Sequence, residues 1–293
     1  MKIGIPRSLY YYYYKDLWFN FFEYLNVEVL VSPETNKEIL DLGLKYSNDE
    51  MCLSLKNYIG HVTYLKDKCD YILVPRIDNY GINNQTCTNF LASYDIINNI
   101  FDINVLNYNV NLRNNETELK GFISIGKILG IDKKKIKDAY MFAKAKSSKE
   151  KKQKVLNNLI KLKSKKKKIL VVGHPYNIYD KLIGEPIIDI LKEFDIEIIY
   201  SDLFFDKDES KKYTKELYWK YSKENISSIS KCIDKIDGII FLSSFPCGLD
   251  SLVNELVMRK VDKPYINIII DDNSVSGGIE TRIESFIDIV NCS

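Results

Sequence analysis

The stretch GIIFLSSFPCGLDSLVNELVMRK, Gly238 to Lys260, joins two periodicities that belong to different elements. Residues 238–244 are a short apolar run ending in serines, the pattern of a strand covered on both faces. From Leu249, apolar residues recur at three- and four-residue spacing through Leu252, Val253, Leu256 and Val257, which predicts a helix over 249–260. Phe-Pro-Cys-Gly separates the two. A strand, a tight turn and a helix make one unit of a parallel α/β sheet. The turn holds a thiol, Cys247, between a proline and a glycine. Cys247 is either a small apolar filler or a ligand held where something binds.

Outward from this stretch the pattern repeats. In the first half, KIGIP (2–6), VEVLVS (27–32), YILVPRI (71–77) and INVLNYNV (103–110) are predicted strands. Helices are predicted over 10–25, 36–47, 53–66 and 88–101. From 115 to 164 the pattern is helical. A second series starts at KILVVGHP (168–175) and continues through IEIIYSD (196–202), GIIFLSS and YINIIID (265–271), with helices over 185–194, 209–235 and 280–290. The expected fold class is α/β with mostly parallel sheets. Two α/β halves, 1–114 and 168–293, are joined by a basic helical bridge, 115–167. In such sheets the chemistry is expected at the carboxyl ends of the strands, in a cleft.

The chain has 293 residues, enough for about two domains. Its 45% hydrophobic and 28% charged residues are ordinary for a soluble globular protein. There is no apolar run of the roughly 18 residues a membrane-spanning helix needs, and MKIGIPRSLYYYYYK lacks the apolar core of a secretory leader. A cytoplasmic protein is expected. Net charge is +2, from 42 basic and 40 acidic residues, but it is unevenly spread. Residues 132–168 hold sixteen lysines against three acids, which leaves the remainder net acidic. Those lysines follow a helical pattern, include no arginine and have few aromatics among them. A solvated helix is favoured over a nucleic-acid face.

Six cysteines, at 52, 69, 87, 232, 247 and 292, are widely scattered with no CxxC. In a reducing cytosol, structural disulfides are not expected. Any shared metal must be assembled by the fold. Cys52 in NDEMCLSLK, Cys87 in NNQTCTNF and Cys247 each fall at a predicted helix start. Free N–H groups and the helix dipole there favour the thiolate, which is the metal-binding form. Each alone is more often a buried filler; the shared setting of the three is what points to a site.

Further candidates lie at other strand ends. VVGHPYNIYD offers His174, Tyr176, Asn177 and Asp180. IIIDDNSVSGGIETRIESF offers Asp271 and Asp272 ahead of the Gly277-Gly278 pair. Arg7 and Arg76 each follow a proline at a strand end, where a guanidinium can grip a carboxylate or phosphate or form a surface ion pair. His61, nine residues after Cys52, lies in a helical stretch. No GxxxxGK[ST] or GxSxG motif occurs.

The blocks MKIGIPRSLYYYY, DEMCLSLKNYIGHVTYLKDKCDYILVPRI, GHPYNIYD, LSSFPCGLDSL and IDDNSVSGGIETRIESF occur in this order, and together they cover nearly the whole chain. In this the chain resembles the acyl-CoA dehydratase activase-related family, relatives of the iron–sulfur subunits of 2-hydroxyacyl-CoA dehydratases and benzoyl-CoA reductase. The resemblance implies Rossmann-like lobes holding a 4Fe-4S cluster on three cysteines, at the positions of Cys52, Cys87 and Cys247. It implies low-potential electron transfer or reductive acyl-CoA-type chemistry under anaerobic conditions. A separate ATP-dependent activator or a dehydratase partner is implied as well, with an acyl-CoA-type small molecule as ligand.

Two readings from other classes compete. One is a non-catalytic regulatory module that binds a ligand or partner and carries no cluster. The weaker one is a nucleic-acid binder that uses the basic bridge.

Overall fold

The computed structural model describes residues 1–204, 208–272 and 278–292. It is a mixed α/β protein whose named strand pairings are all parallel. The chain forms two compact units, Met1–Lys151 and Lys152–Ser293.

In the first unit the order is β1 (Lys2–Ile5), α1 (Tyr10–Leu25), β2 (Glu28–Val31), α2 (Lys37–Leu44), α3 (Leu53–Leu65), β3 (Tyr71–Leu73), β4 (Arg76–Asn79), α4 (Thr88–Ile100), β5 (Val105–Leu106), β6 (Asn109–Asn111) and α5 (Glu118–Ile128). A long helix, α6 (Lys133–Lys161), begins in this unit and ends in the second. The main sheet runs β2-β1-β3-β5, and β4 pairs with β6 in a small second sheet. The aromatic run of α1 supplies the core, with Tyr10, Trp18, Phe21 and Phe22 at most 1% exposed. Burying a side chain of this size stabilises the fold by about 1.5–3 kcal/mol. Asn26, left-handed at φ 56°, closes the helix.

Helix α3 is buried at nearly every position because it packs backbone to backbone on α2. Gly60 makes that approach. A Cβ there would lie 2.0 Å from the Ile39 carbonyl oxygen, and a Cβ at Gly43 would lie 2.0 Å from that of Lys56.

The strand expected over 71–77 divides into β3 and β4. Amides of Ile72, Val74 and Arg76 bond in turn to the carbonyls of Asn104, Leu106 and Tyr108, so one edge of the ladder continues. The other edge stops. Strand β1 ends at Ile5, and Pro75 has no N–H to offer. The strand expected over 103–110 divides at the matching place.

The second unit contains β7 (Lys167–Val172), α7 (Pro175–Ile178), α8 (Glu185–Lys192), β8 (Ile196–Tyr200), α9 (Lys220–Cys232), β9 (Gly238–Ser244), α10 (Gly248–Met258), β10 (Tyr265–Ile270) and α11 (Ile279–Cys292). The sheet order is β10-β9-β7-β8. Every residue of β9 is buried, as its unbroken apolar run requires. Helix was expected from 209, but regular α-helix starts at Lys220. Ser210–Lys212 form a single 3-10 turn. Tyr213 and Leu217 are tucked into the core from irregular chain, and their four-residue spacing imitates a helix.

Both main sheets have a topological switch point, where successive strands depart to opposite sides. In the first unit it lies between β1 and β3, and in the second between β7 and β9. Ligands of open α/β sheets bind outside the carboxyl ends of strands at such points.

Candidate functional site

Cys52, Cys87 and Cys247 are the N-cap residues of α3, α4 and α10. All three have extended backbone, with φ between −65° and −81°, as an N-cap requires. Each is partly buried.

In the first unit, the turn after β1 brings the helix heads to the switch point. Ser8 Oγ donates to the Ser54 carbonyl at 3.2 Å, holding the first turn of α3 against that turn. Leu9 follows at φ 43°, a left-handed backbone that a buried leucine adopts only under constraint. The head of α4 is tied to that of α3, because Asn89 Nδ2, two residues past Cys87, donates to Cys52 Sγ at 3.2 Å. An open hollow of about 570 Å³ lies beside Met51, lined also by Tyr46, Asp95, Ile96 and Ile100.

In the second unit, β7 ends at Val172 and its turn presents His174, while β9 ends at Ser244 and its turn presents Cys247. The Phe245–Pro246 bond is cis. Asp250, on the first turn of α10, links the two turns. Its Oδ1 lies 3.0 Å from His174 Nε2, and its N–H donates to Cys247 Sγ at 3.5 Å. The His174 ring stacks on Tyr176 with centroids 4.9 Å apart and meets Tyr221 edge-on.

The remaining candidates have local duties. Arg7 Nε donates to the Ser32 carbonyl at 3.2 Å, and its Nη1 pairs with Glu34 at 3.4 Å. Arg76 pairs with Asp95. Asp180 is buried and accepts the amides of Leu182 and Ile183 at 2.9 and 3.2 Å, so it caps its own loop. Asn177 is fully buried. Asp271 and Asp272 are half-buried after β10; Gly277 lies outside the described residues. His61 is wholly buried, with Nε2 3.0 Å from Thr35 Oγ1. Burial, helped by the Arg7 charge, lowers its pKa to about 3.

The other thiols contrast with the three at helix heads. Cys69 and Cys232 donate to carbonyls one turn back, those of Leu65 and Ser228. Burial raises the pKa of Cys69 and pushes that of Cys232 up to about 12, so both stay protonated. Among the described residues, no three His, Cys, Asp or Glu side chains are grouped to hold a metal ion. No described helix is long and apolar enough to cross a membrane.

Asn89 and Asp250 were not among the residues singled out by sequence. Their only signals are short ones, Cys-Thr-Asn at 87–89 and Cys-Gly-Leu-Asp at 247–250.

Fold and site define a parallel α/β protein with cysteine-headed helices at the switch points of its sheets. Residues 2–204 match the family described as CoA enzyme activase uncharacterised domain, and the chain belongs to that family. Cys52, Cys87 and His174 lie within the matched span, and Cys247 lies beyond it. No curated protein matches the chain.

Proposed function

We propose that the chain is an iron–sulfur protein of a CoA-enzyme system, with Cys52, Cys87 and Cys247 giving thiolates to a 4Fe-4S cluster. The observation behind this is the repeated setting: three partly buried thiols, each the N-cap of a helix that starts at or beside a sheet's carboxyl edge. Such a cluster supplies low-potential electron transfer or reductive acyl-CoA-type chemistry. The chain's own groups stabilise the thiolate charge. The Asn89 amide donates to Cys52, and the first-turn amide of Asp250 donates to Cys247. Arg7 and Arg76 are the strand-end cations open to an anionic acyl-CoA-type ligand, by exchange for Glu34 and Asp95. His174 and Tyr176 would line the same approach to Cys247. A separate ATP-dependent activator or a dehydratase partner protein would complete the system.

The test is iron and sulfide content after anaerobic reconstitution. About four of each per chain, with loss of colour in Cys52→Ala, Cys87→Ala and Cys247→Ala, is the expected result. A colourless, iron-free wild-type protein would sink the proposal. A second reading, a cluster-free module that binds a small ligand, is favoured by the hollow beside Met51. It expects metal-free protein to gain thermal stability with acyl-CoA thioesters, and a Met51→Trp variant to lose that gain.

A further inference from the structure

Strand β10 closes one side of the second sheet, with β9 as its one neighbour. It is six residues long, YINIII, with no charge, glycine or proline among them. In a parallel pair, alternate residues turn their backbone groups to opposite sides. The carbonyls of Pro264 and Ile270 accept from the amides of Ile239 and Phe245, so the even-numbered residues face β9. Tyr265, Asn267 and Ile269 therefore turn theirs outward. Among the described residues, nothing bonds to these three amides or to the carbonyls of Tyr265 and Ile269. The Asn267 carbonyl accepts from Nη2 of the exposed Arg282 at 2.9 Å. Tyr265 and Ile269 are 44% and 41% exposed.

The margins of the other sheet edges are guarded. On the opposite side of the same sheet, Asn158 bonds to both the amide and the carbonyl of Tyr200, at 3.0 and 3.1 Å. Lys161 Nζ donates to the Ile198 carbonyl at 3.3 Å, and β8 carries Glu197. In the first unit, β2 carries Glu28, paired with Lys2, and β5 is two residues long. Side-chain cover, charge and shortness all keep edges from pairing. Over β10, the Arg282 guanidinium is the one such device among the described residues.

We propose that β10 pairs with β10 of a second copy of this chain, antiparallel across a twofold axis, so that the two sheets run on as one. Any charge on the strand would meet itself near such an axis, and YINIII has none. Centring the axis on Asn267 uses the whole outward row. Asn267 then faces its own counterpart, and Tyr265 faces Ile269 of the second copy, an aromatic against a β-branched residue. The same register sets Asp271 opposite Lys263 of the second copy at each end, so the charges are complementary where the strands stop. Lys263 has no carboxylate partner of its own among the described residues. Arg282 releases the Asn267 carbonyl as the copy docks. The pairing needs no cluster, so it stands or falls apart from the iron–sulfur reading.

One strand pair is a small interface, so in sedimentation velocity the dimer should be reversible, its fraction rising with concentration. Ile269→Lys puts a cation on the outward row without touching the ladder to β9, and should weaken dimerisation at least about tenfold. Arg282→Ala frees the guarded acceptor and should strengthen it about threefold or more. Disulfide trapping in a Cys292→Ser background reads the register. Facing residues of an antiparallel pair have Cα atoms about 5.5 Å apart, within disulfide reach. Asn267→Cys should therefore be trapped as a dimer on mild oxidation. Ile269→Cys faces Tyr265 instead and should stay monomeric under the same conditions. A wild type that is monomeric at every concentration, with no trapping of Asn267→Cys, overturns the proposal. So does a dimer that Ile269→Lys leaves unchanged, or one that traps both cysteine variants equally, because the contact then lies elsewhere.

Discussion

His174 Nε2 lies 3.0 Å from Asp250 Oδ1, and this contact joins the turn after β7 to the first turn of α10. Both side chains are buried, at 5% and 7% exposure, so each is the other's substitute for water. Removing either strands a buried polar group, at a cost of about 1–3 kcal/mol. His174→Ala and Asp250→Ala should each destabilise the fold by that amount in urea unfolding. The double variant should cost less than the two added together, with a coupling of about 0.5–3 kcal/mol. Additive losses would mean that the contact contributes nothing to stability.

His61 gives the fold an acid-side weakness. Burial holds its native pKa at about 3, below the ordinary value of 6.5, so the folded state keeps the ring neutral. Below pH 6.5 the unfolded chain binds a proton that the native chain refuses. The stability tied to neutral His61 is therefore complete above pH 6.5 and falls as pH drops toward 3. The slope approaches about 1.4 kcal/mol per pH unit. His61→Gln should remove that part of the slope. Unfolding of both proteins between pH 7 and pH 4 tests this, and parallel stability curves would count against it.

The order of strands and helices was legible in the sequence because it is written in local periodicity. The fully buried β9 and the helix after it could be read from 238–260 alone. The division of the 71–77 strand could not, because it depends on where β1 ends, at Ile5 in a distant part of the chain. The thiols at helix heads were legible for the same reason as the helices. What surrounds them was not. His174 and Asp250 are 76 residues apart, and Asn89 reaches Cys52 across 37. No spacing rule links such pairs. Asp250 carries no signal of its own in the sequence, and only folding gives it a histidine partner.

The Gly60–Gly43 crossing fixes the helix that carries Cys52. A methyl group at Gly60 would overlap the Ile39 carbonyl oxygen at 2.0 Å, and neither backbone has a flexible end to yield. Gly60→Ala should destabilise by about 3 kcal/mol or more, the upper range of overpacking. Gly248→Ala is the matched control, because its Cβ would meet nothing within 4 Å. It should stay within about 0.5 kcal/mol of wild type. Denaturant midpoints decide the comparison, and equal midpoints for the two variants would refute close packing at the crossing.

Asn89 separates the stability of the fold from the electronics of the thiol. Its amide donates to Cys52 Sγ at 3.2 Å at a partly buried site. Asn89→Ala removes one neutral donor, so unfolding should shift by only about 1 kcal/mol. Hydrogen bonds to sulfur ligands help set cluster potentials by stabilising the more negative, reduced state. Without the Asn89 donor, reconstituted protein should therefore be harder to reduce, with a midpoint more negative than wild type. Asn89→Asp should move the midpoint further the same way, because it puts a carboxylate where the donor was. An anaerobic redox titration of the three proteins reads the order directly. If all three share one midpoint, Cys52 does not ligate the cluster that is being titrated.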